Sequence, residues 1–279
     1  MATSHGSGSL VARIAEEVVA PGHVTGWWLG GSGFVFKTPG GMQIYIDPYL
    51  SDIVRDIFGS ARAFPPPIVA EQARPDIVIS SHWHEDHLDP GAIPVIARHS
   101  PTTRFIMPPS ATAHALSWRV PRNRVSALSV GESMDIDDVT ITAVPARHAA
   151  GIPGWEVPDA MGIVLSVAGL KLYHTGDTEY DVRLRLLRTQ GVDGVMACIN
   201  GVTGNMNAHE AALLAWQLGA GTVIPIHHIL WAAGATDDEA TLDPELFAGT
   251  YRKLGGTGRV VIPEIGAPID FSRDGGSSR

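Results

Sequence analysis

Short apolar runs broken by glycine and proline dominate the first part of the chain. Residues 10–20 place apolar side chains at helical spacing and stop before Pro21 and Gly22, which predicts a helix. Three β-rich runs come next, separated by glycine-containing breaks: 24–31, 33–38 and 42–50. The last run contains Asp47, so we expect a meander of three strands that places this carboxylate at its end.

The pattern then alternates between strand and helix. We predict a buried strand at 75–82 that ends at His82, a short helix at 91–100 and a strand at 103–110. Further β-rich runs occupy 124–130, 134–146 and 162–177. The rest of the chain predicts helix, strand, helix, strand, helix and strand at 182–190, 192–199, 208–219, 222–228, 244–254 and 259–265. Two sheets packed face to face with helices outside would satisfy this order.

The composition is typical of one large folded domain. Of the 279 residues, 44% are hydrophobic and 18% are charged, which is enough apolar surface for a sizeable core. We predict a single domain over 1–279, with the Gly- and Ser-rich ends 1–9 and 272–279 as loose tails. The single cysteine, Cys198, excludes an internal disulfide and fits a reducing compartment. No secretory signal or membrane-spanning run is visible, so we expect a cytoplasmic protein.

The charge balance narrows the classes of partner. A formal net charge of −9 argues against a nucleic-acid surface, which needs clustered Lys and Arg. It leaves room for a small anionic substrate, because a bound metal can reverse the local field. Histidine is the more informative residue type, since seven of the 12 histidines lie in segments that each end a strand-like run: His82, His84, His87, His148, His174, His227 and His228.

The segment from His82 to His87 concentrates three histidines and two carboxylates in six positions. On a tight turn at a strand end, His82 and His84 can point to one side while Asp86 and His87 reach a second point nearby. Neutral imidazole and carboxylate are suitable ligands for Zn²⁺, Mn²⁺ or Fe²⁺. A solvated polar loop with coincidental histidines is the alternative, but the buried strand before the motif makes a metal site the better interpretation.

One such segment cannot complete two metal sites, so further ligands must come from elsewhere. His148, Asp177 and His227 each follow an apolar β-rich run. Rigid strands hold the side chains at their ends in fixed positions, as a binding site requires. The sequence therefore predicts a metal centre assembled from four separate segments.

These motifs, His-x-His-x-Asp-His, Pro-Ala-x-His, Thr-Gly-Asp-Thr and Ile-Pro-x-His in this order, resemble those of the metallo-β-lactamase superfamily. Within it, residues 26–41, the Asp47-Pro48 turn and the segments 172–177 and 223–231 resemble the L-ascorbate-6-phosphate lactonase family. The resemblance extends from about residue 16 to residue 232. It implies an αββα four-layer sandwich, with two mixed β-sheets flanked by helices and the metals at one edge.

The resemblance also implies a role for each ligand. His82, His84 and His148 would hold a first metal, and Asp86, His87 and His227 a second. Asp177 would bridge the two ions, and Asp47 would orient the ligand loop through hydrogen bonds. We expect one or two divalent ions per chain. The resemblance favours manganese, whereas the ligand types alone suit zinc equally and also iron.

The ligands permit hydrolysis by metal-bound hydroxide. Asp86 could carry the proton to the leaving oxygen, and His174 and His228 are further candidates for a catalytic or substrate-binding role. His174 could equally be a strand-end histidine bonded to its neighbours, and His228 a cap or orienting residue. Arg147 could grip an anion or lie on the surface.

Other residues have simpler interpretations. Trp83 and Trp155 could wall the pocket, although tryptophan is more often a packing residue. Asn207 is well placed to cap the helix that follows it.

The function predicted from these observations is a lactonase that opens a sugar-derived or sugar-phosphate lactone. The loops after Asp47 and after His148, which shape the pocket in this family, are shorter here, so the substrate itself is left open. A phosphodiesterase or phospholipase-type hydrolase on the same metals is the main alternative, and a non-catalytic metal-binding protein is a third. We expect a small-molecule substrate and no nucleic-acid partner; a homo-oligomer is compatible with the sequence.

Overall fold

Fourteen strands form two seven-stranded sheets in the computed structural model, which describes residues 8–202, 204–232 and 243–273. In chain order the strands are β1 (Val24–Gly30), β2 (Gly33–Lys37), β3 (Gln43–Ile46), β4 (Ile77–Ile79), β5 (Arg104–Met107), β6 (Val125–Ala127), β7 (Ser133–Ile136), β8 (Val139–Pro145), β9 (Met161–Val167), β10 (Leu170–His174), β11 (Gly194–Cys198), β12 (Thr222–Ile226), β13 (Arg259–Val260) and β14 (Pro268–Phe271). The first sheet has the order β14-β1-β2-β3-β4-β5-β6 and the second β13-β12-β11-β10-β9-β8-β7.

Helices cover the outer faces of both sheets. The described helices are α1 (Leu10–Glu16), α2 (Ile53–Phe58), α3 (Ile93–His99), α4 (Pro109–Ser117), α5 (Ala208–Leu218) and α6 (Pro244–Lys253), with 3₁₀ helices at Arg122–Arg124 and Val182–Gln190. None of the helices in the described ranges is long and apolar enough to cross a membrane.

Both sheets are mixed and are built in the same way. In the first sheet, β14, β1, β2 and β3 pair antiparallel, whereas β3 to β6 pair parallel. In the second sheet, β7 to β10 pair antiparallel and β10 to β13 pair parallel. The predicted αββα sandwich with two mixed sheets is confirmed.

The period-two alternation of the strands explains the two sides of each sheet. Phe34 and Phe36 of β2 point into the apolar layer between the sheets, where Ile163 of β9 also lies. Val35, between the two phenylalanines, points to the other face and packs beneath the helices of the first sheet. Val164 of β9 does the same on the second sheet. Each fully buried side chain of this kind contributes about 1.5–3 kcal/mol, so these alternations fix the register of the sheets.

The helices pack on these outer faces through their apolar sides. On the first sheet, α1 and α3 bury Leu10, Ile14, Ile93 and Ile96 among the outward-facing strand residues. On the second sheet, α5 and α6 bury a comparable set: Ala211, Leu214, Leu218, Phe247 and Tyr251. As predicted, Asn207 caps α5: its side chain accepts the backbone N–H of Glu210, whose side chain in turn accepts the backbone N–H of Asn207.

The first helix is shorter than predicted, because α1 ends at Glu16 and not at residue 20. Nζ of Lys37 on β2 donates to the carbonyls of Ile14 (2.8 Å) and Ala15 (2.7 Å). These bonds satisfy carbonyl groups that the end of a helix leaves without partners. Beyond the helix end Val18 is 90% exposed whereas Val19 is buried, so the apolar residues there do not continue the helical face.

Several other elements differ from the predictions. The strand predicted at 103–110 ends at Met107, because Pro108 and Pro109 supply no N–H and start α4 instead. The helix predicted at 182–190 is a 3₁₀ helix, and the strand predicted at 259–265 is reduced to Arg259–Val260. The helices α2 and α4 and the strand β14 were not predicted.

The ends of the chain were predicted as loose tails. Residues 1–7 and 274–279 lie outside the described residues. Ser9 caps α1 by accepting the backbone N–H of Ala12 at 3.3 Å, and Nε of Arg273 lies 3.2 Å from the Asp193 carboxylate. The inner residues of both predicted tails therefore contact the folded domain.

The carboxyl ends of several strands meet at one edge of the sandwich. Asp47 follows β3, Asp177 lies three residues beyond β10, His227 follows β12 and His148 lies three residues beyond β8. Loops at the carboxyl ends of parallel strands are the common location of binding sites in such sheets. The fold thus collects the candidate ligands that the sequence scatters over four segments.

Candidate metal centre

A tight turn after β4 shapes the His82–His87 segment. The backbone N–H groups of His87 and Leu88 both donate to the carbonyl oxygen of His84, at 2.9 and 2.8 Å. The turn sends the His82 and His84 side chains toward one group of polar atoms and those of Asp86 and His87 toward another.

In the first group, three imidazole nitrogens converge. Nε2 of His82 and Nε2 of His148 each lie 3.0 Å from Nδ1 of His84, and all three side chains are buried. Nitrogen ligands about 2.0–2.1 Å from a tetrahedral ion lie about 3.4 Å from one another, which is close to the observed spacing. This donor set fits one divalent ion.

The second group combines a carboxylate with two imidazoles. Oδ2 of Asp86 lies 3.7 Å from Nε2 of His87 and 3.5 Å from Nε2 of His227, and the two nitrogens are 3.3 Å apart. Imidazole and carboxylate are ligands shared by zinc, manganese and iron. This second set fits an ion in the same way.

Asp177 lies between the two groups. Its Oδ2 is 3.4 Å from Nε2 of His87 and 3.9 Å from Nε2 of His148, and its Oδ1 is 3.4 Å from Nε2 of His227. The Asn205 amide donates to Oδ2 at 2.7 Å, while the buried Oδ1 accepts no hydrogen bond from any described residue. A buried carboxylate oxygen without a donor is costly unless a cation completes its contacts, so the structure supports a metal at this position.

Backbone carbonyls orient two of the ligand rings. Nε2 of His84 lies 3.1 Å from the Trp155 carbonyl, and Nδ1 of His148 lies 3.0 Å from the Gly204 carbonyl. Because a carbonyl can only accept, each ring carries its proton on the nitrogen that faces away from the cluster. The lone pair of the other nitrogen is then directed at the first group, as a metal ligand requires.

Asp47 and Ser81 orient two further rings, those of His82 and His87. One oxygen of Asp47 accepts the Ser81 backbone N–H at 2.7 Å, and the other accepts the Ser81 hydroxyl at 2.7 Å and Nδ1–H of His87 at 2.8 Å. The Ser81 hydroxyl also lies 3.0 Å from Nδ1 of His82. The structure places Asp47 behind the ligand loop, where the sequence predicted it, and adds Ser81, which the sequence analysis missed although it directly precedes the motif.

The backbone itself is strained at two of these positions. Asp47 has φ of 46° and His227 has φ of 60°, in a region that residues other than glycine seldom adopt. Backbone bonds hold both: Asp47 N–H donates to the Ile79 carbonyl at 2.9 Å, and His227 N–H donates to the Gly31 carbonyl at 2.7 Å. Such conformations cost about 1–3 kcal/mol each, which is consistent with side chains held in place for function.

The electrostatics of the cluster favour bound positive charge. Burial alone would lower the pKa of His87, but the neighbouring carboxylates of Asp177, Asp86 and Asp47 hold it well above its usual value. The pKa of His84 falls to about 4, because the side chain is buried and lies beside His148. The cluster therefore combines imidazoles that stay neutral with carboxylates that attract a cation.

His174 lies near this cluster but is engaged elsewhere. It is fully buried, with Nε2 donating to the Ser32 carbonyl at 2.7 Å and Nδ1 accepting the Gly176 N–H at 3.1 Å. Both ring nitrogens are thus used by the backbone. Of the two predicted roles for His174, this geometry matches the strand-end histidine that is hydrogen-bonded to its neighbours, not the catalytic group.

His228 belongs to neither ligand group. Its ring packs on Trp28 with 4.7 Å between centroids, and burial lowers its pKa to about 4. Neither His228 nor His174 is among the described residues that line the cavity beside the ligands. The prediction that His228 contacts substrate therefore has no support in this geometry.

A cavity of about 660 Å³ opens beside the two ligand groups. It is lined by Val54, Phe58, Ser60, His84, Glu85, Asp86, His148, Ala149, Ile152, Trp155, Asp177, Asn200, Gly201, Val202, Asn205, His227 and Trp231. Trp155 forms part of the cavity wall, which is one of the two roles predicted for it. Trp83 instead packs between His84 and His114, and Arg147 lies 3.5 Å from Glu179 with its side chain mostly exposed.

The segment between Asp47 and residue 75 contributes more to the site than its short length suggested. It contains α2, which supplies Val54 and Phe58 to the cavity wall. Asp89 ties this segment to the ligand loop by accepting five hydrogen bonds from the backbone N–H groups of Leu50, Ser51, Gly91 and Ala92 and from the Ser51 hydroxyl. The sequence signal for such a role was the Asp-Pro-Gly turn at 89–91.

Comparison with known proteins adds the family. Residues 27–227, which are 201 of the 279, match the family described as a β-lactamase superfamily domain. A metal-dependent hydrolase of Anaeromyxobacter dehalogenans is 29% identical, with 92% of this chain and 90% of that protein covered. A probable L-ascorbate-6-phosphate lactonase of Shigella boydii is 26% identical, with 79% of this chain and 73% of that protein covered.

Solved structures share the fold. A metallo hydrolase from the archaeon Ignicoccus hospitalis superposes with a TM-score of 0.66 at 21% identity, covering 90% of this chain and 99% of that one. The match to the family model, the two mixed sheets and the grouped histidines and aspartates agree with one another. The chain therefore belongs to the metallo-β-lactamase superfamily and is a metal-dependent hydrolase.

Proposed function

We propose that the chain is a lactonase, which hydrolyses a cyclic ester to a hydroxy acid. The observation that carries the proposal is the pair of ligand groups joined by Asp177 and exposed to a cavity of small-molecule size. The similarity to a probable lactonase of Shigella boydii supports a lactone, which is a cyclic ester, as the substrate.

In this proposal His82, His84 and His148 hold one divalent ion, and Asp86, His87 and His227 hold a second with Asp177 between them. When bound, the metal would activate water and polarise the carbonyl of the substrate. Manganese and zinc are the main candidates for its identity, and iron is a third.

The side chains of the cavity supply the rest of the reaction. Water adds its oxygen to the acyl carbon and the ring C–O bond breaks, which leaves a hydroxyl group and a carboxylic acid that releases its proton to solvent. The proton that water loses passes through the Asp86 oxygen that does not face His227, and from there to the ring oxygen as it leaves. Asn205 lines the cavity and holds the Asp177 carboxylate in place through its 2.7 Å bond to Oδ2.

The test is turnover of a panel of lactones by purified protein loaded with Mn²⁺ or Zn²⁺, with metal content measured by elemental analysis. His84→Ala, which removes a predicted ligand, is the control. Turnover that depends on metal and is absent in the variant is the expected result. If the wild-type protein hydrolyses no lactone faster than His84→Ala does, the proposed lactonase function is refuted.

The same assays separate the other functions. Faster hydrolysis of bis(p-nitrophenyl) phosphate than of every lactone would indicate a phosphodiesterase on the same ligands. Protein that binds no metal and hydrolyses neither class would instead indicate a non-catalytic member of the superfamily.

A further inference from the structure

The cavity beside the candidate ligands has two chemically different parts. Its polar part consists of five predicted metal ligands together with Ser60, Glu85, Asn200 and Asn205. Its walls are apolar, and they come from α2 and from separate loops: Val54, Phe58, Ile152, Trp155, Val202 and Trp231. Binding sites of this kind orient a ligand by a few polar groups and hold most of its surface by apolar contact.

Two aromatic rings form the outer part of this wall. Phe58 at the end of α2 and Trp155 in the loop after His148 lie 5.7 Å apart, centroid to centroid, and are 50% and 48% exposed. Trp155 also packs edge-on against His84, with 5.5 Å between centroids. The apolar surface is thus continuous from the mouth of the cavity to the ligands, and a substrate that covers it gains hydrophobic free energy.

The lining offers no positive side chain to a phosphate. Among the described lining residues there is no Lys or Arg, whereas Glu85, Asp86 and Asp177 are all present. The segment 233–242, which the structure does not describe, contains no Lys or Arg in its sequence. A dianion placed away from the metals would meet no fixed side-chain cation and would be repelled by the carboxylates.

Three arginines lie close in sequence to the wall residues, Arg55, Arg62 and Arg147, and none of them lines the cavity. Nη1 of Arg62 donates to the Tyr49 carbonyl at 2.8 Å, and its guanidinium lies over the Tyr49 ring at 4.6 Å. Arg147 pairs with Glu179 and does not line the cavity. Arg55 pairs with Asp52 and Asp56. Nη2 of Arg62 has no partner among the described residues but is buried outside the cavity lining, so none of these arginines faces an anion in the cavity.

We propose that the substrate is an uncharged lactone bearing an apolar chain of several carbons, which lies against Phe58 and Trp155, rather than a sugar phosphate. The proposal rests on the lactonase function above and narrows its substrate class. The reaction is unchanged: water adds to the acyl carbon, the ring C–O bond breaks, and the chain stays on the hydroxy acid.

The first experiment compares γ-lactones of four to ten carbons with a phosphorylated sugar lactone, at the same metal loading. We expect kcat/KM to rise about fourfold for each methylene that becomes buried, and the longer lactones to exceed the phosphorylated one by at least about 100-fold. A kcat/KM that does not rise with chain length, or a preference for the phosphorylated lactone, would overturn the proposal.

The second experiment tests the wall directly. Phe58→Ala should raise KM for the longest lactone about tenfold, leave kcat within about twofold and leave the four-carbon lactone almost unaffected. Ile57→Ala is the matched control, because Ile57 lies on the same helix and is 51% exposed but does not line the cavity. Equal effects of Phe58→Ala on short and long lactones would contradict the assigned contact.

A binding measurement separates failure of this proposal from failure of the lactonase. Cyclopentanones with the same alkyl chains cannot be hydrolysed, and calorimetry measures their binding without turnover. Tighter binding with longer chains, weakened by Phe58→Ala, supports the apolar site even if no lactone reacts. Binding that is independent of chain length rejects it even if lactones are hydrolysed.

Discussion

In the ligand cluster a second hydrogen bond sets the orientation of at least three histidine rings, whereas in the cavity wall Phe58 and Trp155 meet only through their rings. His84, His87 and His148 each use their outer nitrogen in such a bond, at 2.8–3.1 Å. The Phe58 and Trp155 rings are half exposed and 5.7 Å apart. One region is fixed by directional polar contacts, and the other by shape and apolar area.

This difference has a physical origin. A buried polar group left without a partner costs about 1–3 kcal/mol, so the cluster tolerates few arrangements other than the observed one. An apolar contact has little directionality, and its free energy changes in proportion to the area buried. We therefore expect substitutions in the cluster to abolish function or weaken the fold, and substitutions in the wall to change substrate preference in steps.

The largest effect is expected at Asp177, which lies between the two groups. Asp177→Ala should lower kcat at least about 10³-fold, or about 4 kcal/mol of transition-state stabilisation, and reduce the metal content of the purified protein. Kinetics and elemental analysis measure both changes. Asp135→Ala, at an exposed aspartate bonded only to Thr140 among the described residues, is the matched control and should be neutral. Activity within tenfold of wild type would show that Asp177 is not a ligand.

Asp47 tests whether the bonds behind the ligands matter. Asp47→Ala removes the acceptor of the Ser81 N–H, the Ser81 hydroxyl and the His87 Nδ1–H, so the free energy of unfolding should fall by about 3 kcal/mol. Metal affinity should fall about 10–100-fold, as measured by competition with a chelator. Asp47→Asn keeps the shape but turns one acceptor into a donor facing His87, and should recover stability more fully than affinity. Equal loss of both in Asp47→Asn would contradict this division.

Asp89 connects the two regions and should separate their properties. Asp89→Ala leaves five donors without their acceptor and should lower the free energy of unfolding by about 2–3 kcal/mol, as read from denaturant unfolding. Because Asp89 does not contact the ligand cluster, metal content should stay near wild type. KM should rise, since the segment that carries α2 is no longer tied to the ligand loop. A loss of metal with unchanged KM would reverse this interpretation.

The smallest effect is expected at Arg147, the sequence candidate for gripping an anion. Its side chain is exposed beside Glu179 and outside the cavity, so Arg147→Ala should change kcat/KM less than about twofold, in keeping with other surface substitutions. Steady-state kinetics with neutral and phosphorylated lactones will measure this. A selective loss with the phosphorylated lactone would restore Arg147 as an anion-binding residue.

The sequence was most informative where the signal is local. The β-rich run at 33–38 predicts a strand, and the structure has β2 at Gly33–Lys37. Asn207 and Glu210 form the predicted type of cap because the capping contacts span only three residues. The helix α2 lacked such a signal, since it is a six-residue helix without a side-chain cap bond.

The site shows the same division. The spacing within His82–His87 is short enough for the turn alone to separate its side chains into two directions, so these residues could be singled out from the sequence. Ser81 and Asn205 could not be found in this way, because their roles depend on contacts with Asp47, 34 residues away, and with Asp177, 28 residues away.

The sequence by itself determined the order of most strands and helices and the residue types at the strand ends, because these follow from local periodicity and from the chemistry of each side chain, whereas the sandwich was implied by the family resemblance. Only the tertiary structure decided that His174 and His228 are not part of the cavity lining and that Phe58 and Trp155 are. The direction of a side chain at the end of a strand is set by what packs around it, and those neighbours come from distant parts of the chain. The sequence thus indicated metal-dependent chemistry, whereas the shape of the cavity that selects a substrate arises from packing.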